Sequence, residues 1–170
     1  VWDADKRRVM SVDSSGLDVY ELLERAPGVW ERGQTWAFAQ RISAIIPRAS
    51  GGFVLVSHDR LLFWDEDGSL STFAEANLPA PGETMNDAKC DTRGRIFVGT
   101  LSYDFTKGTN ALYKFDTDGT FTKMMSNVSI SNGLDWSPDE KTFYYADSMG
   151  GGIYAFDYDI EHGTIANRRQ

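Results

Sequence analysis

Asn86-Asp87-Ala88-Lys89-Cys90-Asp91-Thr92-Arg93-Gly94-Arg95-Ile96-Phe97-Val98-Gly99-Thr100 reads as a short strand, a turn centred on Arg93-Gly94 and a second strand. Asn110 to Phe121 continues it with a strand, an Asp118-Gly119 turn and another strand. The pattern then starts again. Asn132-Gly133-Leu134-Asp135-Trp136-Ser137-Pro138-Asp139 leads through a turn into Thr142 to Asp147, and Gly152 to Asp159 follows. An earlier copy runs from Ile42 to Pro47, turns at Ser50-Gly51-Gly52, and continues through Phe53 to Val56, Leu61 to Trp64 and the turn Asp67-Gly68. Arg8 to Asp13 and Leu17 to Tyr20 belong to one more.

Corresponding turns recur at roughly 40 to 50 residues, the interval of one four-stranded propeller blade. β-branched and aromatic residues mark the strands, while Gly, Asp, Asn and Pro mark the turns. No stretch keeps a helical period, and Leu22 to Ala39, with Trp30, Trp36 and Phe38 around Gly28 and Gly33, reads as loop and strand. The fold class is therefore all-β, an incomplete β-propeller of about three to four blades, since closed propellers typically carry four to eight. Residues 1–170 form one partial propeller domain. Starting at Val1 and stopping in the polar run Asn167 to Gln170, the chain is expected to be a piece of a longer protein. Its open sheet edges then predict self-association when isolated.

A net charge of −8 with no basic stripe argues against nucleic-acid binding, which needs clustered Lys and Arg. Apolar runs are of strand length, too short to span a bilayer as helices. Cys90 is the sole cysteine, so no internal disulfide forms. A buried, inert thiol in a strand fits it best, and this favours a reducing, cytoplasmic setting.

Asn86 and Asn132 occupy equivalent places in successive units, with Asp87, Gly133 and Asp135 as neighbours. Such residues often open strands by bonding local backbone, and spacing alone favours that reading. The functional alternative has both amides face a central channel, where neutral, hard carbonyl oxygens suit Ca²⁺ or hold a polar substrate. Asp13 and Asp147 each end a strand and precede a serine, which predicts a repeated turn whose carboxylate accepts backbone N–H groups. Asp116 to Gly119 lacks the glutamate of a calcium loop, and His58 and His162 have no metal-spaced partner. No nucleophile elbow or phosphate-binding glycine loop occurs.

Ser131-Asn132-Gly133-Leu134-Asp135-Trp136-Ser137-Pro138-Asp139, Phe143-Tyr144-Tyr145-Ala146-Asp147-Ser148, Ala155 to Asp159 and Asn86 to Asp91 closely resemble the SMP-30/gluconolactonase/luciferin-regenerating family. The similarity runs from Val1-Trp2-Asp3 to Asn167-Arg168-Arg169. It implies a six-bladed propeller with one divalent metal ion, Ca²⁺ first with Zn²⁺, Mg²⁺ or Mn²⁺ as alternatives, and hydrolysis of small sugar lactones. By this resemblance Asn132 is a metal ligand, and Asn86 and Asp104 contact substrate. The family's other metal ligands, a Glu and the Asp that is also its general base, fall before Val1 and beyond Gln170. No catalytic residue is then expected within the chain, and the chain alone should be inactive. Thr84 stands where the family carries a substrate-binding Arg, and Thr cannot make that forked, charged contact. The resemblance implies no specific protein partner. The competing reading is a noncatalytic propeller that binds calcium or a protein.

Overall fold

The computed structural model describes residues 1–79 and 82–170. Among the described residues there is no helix, and hence none long and apolar enough to cross a membrane. The described residues hold sixteen strands in four antiparallel sheets of four, each joined in simple up-and-down order. This is the blade unit of a β-propeller. The first sheet comprises β1 (Trp2–Asp3), β2 (Arg8–Asp13), β3 (Asp18–Ala26) and β4 (Val29–Ala37), and the second β5 (Ala44–Pro47), β6 (Phe53–Val56), β7 (Arg60–Trp64) and β8 (Leu70–Glu75). The third holds β9 (Glu83–Cys90), β10 (Ile96–Ser102), β11 (Asn110–Phe115) and β12 (Phe121–Val128). The fourth holds β13 (Ser131–Trp136), β14 (Thr142–Asp147), β15 (Gly152–Asp159) and β16 (Thr164–Arg169). Four blades are therefore present. They fall into two compact units, Val1–Phe73 and Ala74–Gln170.

Leu22 to Ala39 is more regular than its sequence suggests. β3 and β4 form a long hairpin around Pro27-Gly28, with Gly28 at φ +75°. Most of β4 is exposed, so no apolar alternation announces it. The pairing is supported instead by a cross-strand contact, Arg32 lying over the Tyr20 ring at 4.0 Å.

In the first unit Met10, Val19, Ile42, Ile45, Phe53, Leu55, Leu62 and Trp64 form one core. A cleft of about 370 Å³ opens beside it, lined by Asp3, Arg8, Trp36, Arg48, Trp64 and Asp65 among others. Its cations are already engaged: Arg8 bonds Asp3 at 2.8 Å and Glu21 at 2.7 Å, Lys6 pairs with Glu66 at 3.0 Å, and Arg48 pairs with Asp65. The lining carries more acids than cations, Asp5 and Asp67 among them.

The second unit packs the third sheet against the fourth through Phe97, Leu112, Val128, Leu134, Phe143, Tyr145, Tyr154, Phe156 and Tyr158. The turn of the third sheet is tied to the fourth by a buried network. Arg95 Nε donates to Asp91 Oδ2 at 2.7 Å, and Tyr158 OH donates to the same oxygen at 2.6 Å. Arg95 also reaches the carbonyls of Ile160 and Glu161. Lys114 Nζ donates to His162 O at 3.2 Å and Arg93 pairs with Glu161, so the turn between β15 and β16 receives three cations from the neighbouring sheet. Gly163 is required there, because its φ is +62° and a Cβ would meet the Arg95 guanidinium at 2.7 Å.

Candidate functional site

Asn86 lies on β9 and Asn132 on β13, both within the second unit. Each sits where the ladder to the next strand slips by a residue. The pairing of β9 with β10 shifts between Val98 and Thr100, so that Met85 to Ala88 carries one residue more than the strand opposite. The pairing of β13 with β14 shifts between Asn132 and Leu134, at Gly133. Gly133 has φ +56°, which a glycine adopts without a Cβ penalty. A bulge of this kind re-aims side chains off the normal alternation.

The two bulges meet. Asn86 Nδ2 donates to Asn132 Oδ1 and to Ser131 O, both at 2.9 Å, and Gly133 N donates to Asp87 Oδ2 at 2.7 Å. Lys89 and Asp135 continue the same offset as an ion pair at 2.7 Å, though an exposed one. Partial desolvation alone would raise the Asp135 pKa, but the Lys89 ammonium and the Trp136 N–H together hold it below the usual carboxylate value. Asn132 Nδ2 donates to Ser148 Oγ at 2.8 Å, which fixes which end of that amide faces Asn86. The pair therefore serves both readings open at the sequence level: these amides bond backbone, and they also converge.

Asp147 behaves as the repeated turn predicts. Its carboxylate accepts the N–H groups of Ser129, Ile130, Met149 and Gly150, and thereby fixes the approach to Asn132. Asp13 accepts those of Ser15 and Gly16 in the equivalent turn. In both, a Cβ on the closing glycine would strike the carboxylate, at 2.8 Å for Gly16 and 2.5 Å for Gly150.

Asp104 stands apart from the asparagines in its described contacts. It is exposed in the loop after β10 and accepts Thr106 N at 3.0 Å, a bond that lowers its pKa. Exposed aromatic rings, Tyr103 and Phe105, flank it. The loop is anchored beside the pair, since Gly108 N donates to Ser129 Oγ at 3.2 Å and Asn110 Nδ2 to Ser129 O at 2.8 Å. Thr84 is fully buried. Beside it Glu83, also buried, accepts Thr100 Oγ1 at 2.6 Å and Tyr113 OH at 3.3 Å; sequence spacing gave no sign of this trio.

The donor chemistry fits a hard divalent ion in part. Asn132 offers a neutral carbonyl oxygen whose second lone pair remains after the Asn86 bond. Among the described residues no three His, Cys, Asp or Glu side chains converge. Ca²⁺ takes six to eight oxygens.

Cys90 ends β9 half-buried, its thiol donating to Asp91 O at 3.2 Å. Burial foremost, and then the Asp91 charge, push that thiol up to about 11. Only the thiolate reacts, so at pH 7.5 Cys90 should alkylate roughly a hundredfold more slowly than an ordinary thiol. Iodoacetamide labelling followed by mass spectrometry, with and without urea, checks this: equal rates in both would contradict it.

Comparison with known proteins gives this geometry its context. The SMP-30/Gluconolactonase/LRE-like region matches residues 1–170. Regucalcin of Danio rerio is 34% identical over 172 residues, covering 99% of this chain and 57% of that protein. Regucalcin of Homo sapiens is 37% identical over 135 residues, covering 75% of this chain and 45% of that protein. The matched chain thus spans about half the length of these relatives, 57% and 45%. A solved luciferin-regenerating enzyme superposes with a TM-score of 0.88 at 27% identity, over 99% of this chain and 57% of its own. A gluconolactonase from Xanthomonas campestris shares the fold, with a TM-score of 0.80 at 21% identity over 99% of this chain and 60% of its own. Whole-chain sequence similarity and shared architecture agree: the chain belongs to the SMP-30/gluconolactonase/LRE-like family.

Proposed function

We propose that this chain forms part of a divalent-metal-dependent hydrolase of small sugar lactones. The carrying observation is the hydrogen bond from Asn86 Nδ2 to Asn132 Oδ1, which joins equivalent positions of successive blades at one point. In this reading Asn132 is a ligand of the ion, its amide held by Ser148 so that the oxygen faces the site. Asn86 bridges Asn132 and the Ser131 carbonyl and aligns the substrate beside them. Asp104, ionised at neutral pH, accepts ring hydroxyls from its loop. A bound ion supplies polarisation of the lactone carbonyl and a water of lowered pKa. Ca²⁺ is favoured because the donor offered here is a neutral, hard oxygen.

The test uses the full-length protein that contains this chain. Asn132→Ala should weaken divalent-ion affinity at least tenfold, by loss of a direct ligand, and reduce lactone hydrolysis in a pH-stat assay by a similar or larger factor. Hydrolysis that resists both chelation and Asn132→Ala would sink the proposal. Ion binding with no hydrolysis across a lactone panel would instead favour a noncatalytic calcium-binding propeller. That reading draws on the fact that both amides already bond protein groups.

A further inference from the structure

We propose that Gly99 and Ser131 form an interlock that positions the asparagine pair, with Gly99 as the positioning residue. Gly99 lies on β10, at the slipped register opposite the Asn86 bulge. A Cβ built on it would fall 1.6 Å from Ser131 Oγ and 2.0 Å from Ser131 Cβ. No adjustment of a flexible tip relieves an overlap of that size, because the Ser131 side chain is short and fully buried. The serine occupies the volume that any other residue at position 99 would need.

Space, rather than hydrogen bonding, holds the Ser131 side chain there. Its hydroxyl makes no bond of good geometry among the described residues, and only tempers the upward push that burial gives the Tyr145 hydroxyl. The backbone of the same residue does the positioning: Ser131 O accepts Asn86 Nδ2, and Asn132 follows directly. A displacement of Ser131 therefore moves the acceptor of one asparagine and the Cα of the other together. The ladder on the far side resists such movement, since Ser131 pairs with Asp147, whose carboxylate is locked by four backbone N–H groups. The strain of a side chain at position 99 falls on the asparagine pair.

The interlock stands on geometry alone; its consequence for ion affinity rests on the metal-dependent reading. The experiment separates the two. Gly99→Ala, Ser131→Gly and the double variant are made in the full-length protein. The Asn86 side-chain amide is followed by NMR, and Ca²⁺ affinity by calorimetry. Gly99→Ala should shift both Nδ2 proton resonances of Asn86 and weaken Ca²⁺ binding by about tenfold, the effect of disturbing a ligand's support. The double variant, in which Ser131→Gly vacates the space, should restore both. Unchanged Asn86 resonances in Gly99→Ala, or no restoration in the double variant, would overturn the interlock. If Gly99→Ala does not fold, recovery of folding by added Ser131→Gly supports the proposal and continued failure refutes it. Absence of Ca²⁺ binding in the unaltered protein counts against the metal reading only, and the amide resonances still decide.

Discussion

Arg95→Ala is expected to destabilise the protein by about 3–5 kcal/mol, the cost of breaking a buried ion pair from one side. Both partners are nearly inaccessible, with side-chain exposures of 8% for Arg95 and 1% for Asp91. Removing the guanidinium leaves the Asp91 carboxylate with Tyr158 OH and the N–H groups of Arg93 and Arg95. It also strips the Ile160 and Glu161 carbonyls of a donor. Arg95→Lys should recover little, because one ammonium cannot reach Asp91, Tyr158 and two carbonyls together. Urea unfolding measures the loss. A change below about 1 kcal/mol would place the pair among ordinary surface salt bridges and contradict its burial.

Phe143→Ala should cost a similar ~3–5 kcal/mol through the cavity it leaves. Phe143 is fully buried and touches Phe97, Trp136, Tyr145, Phe156 and Tyr158, with ring centroids between 5.2 and 6.4 Å. Phe143→Leu keeps most of the volume and should cost well under half as much. The same urea series, with near-ultraviolet circular dichroism reporting on aromatic packing, distinguishes them. Tyr158 contacts both Phe143 and the Arg95 network, so the two alanine substitutions should combine non-additively. Strict additivity would show that the aromatic core and the ion pair are independent.

What the sequence disclosed depended on whether the physics was local. Arg93-Gly94, Asp118-Gly119 and Asp67-Gly68 announced their turns because each turn is decided by its own residues. β4 and the end of β3 were obscured because β4 is mostly exposed and lacks apolar alternation, and the hairpin is held by partners across it. Asn86 and Asn132 were legible through recurrence, and the structure brings them into contact. Arg95 was not, since an arginine beside a turn glycine reads as a solvated surface residue until Tyr158 and the Ile160 carbonyl are placed against it. Nor does spacing reveal that Ser131 fills the space where a Gly99 side chain would stand.

The asparagine bulges carry a lesson for anyone cutting or exchanging blades. The bonds described for the pair cross from the third sheet to the fourth, or are anchored by the Asp147 turn at the end of β14. The natural module of exchange is therefore out of phase with the repeat. It runs from β9 of the third sheet to β14 of the fourth. A chimera joined at the loop between β12 and β13 would preserve each sheet whole yet mismatch Gly99 with a foreign residue at position 131. One that keeps β9 to β14 on a single parent, with its junction in β15 or β16, would carry Asn86, Gly99, Ser131 and Asn132 together, and so transfer the arrangement intact.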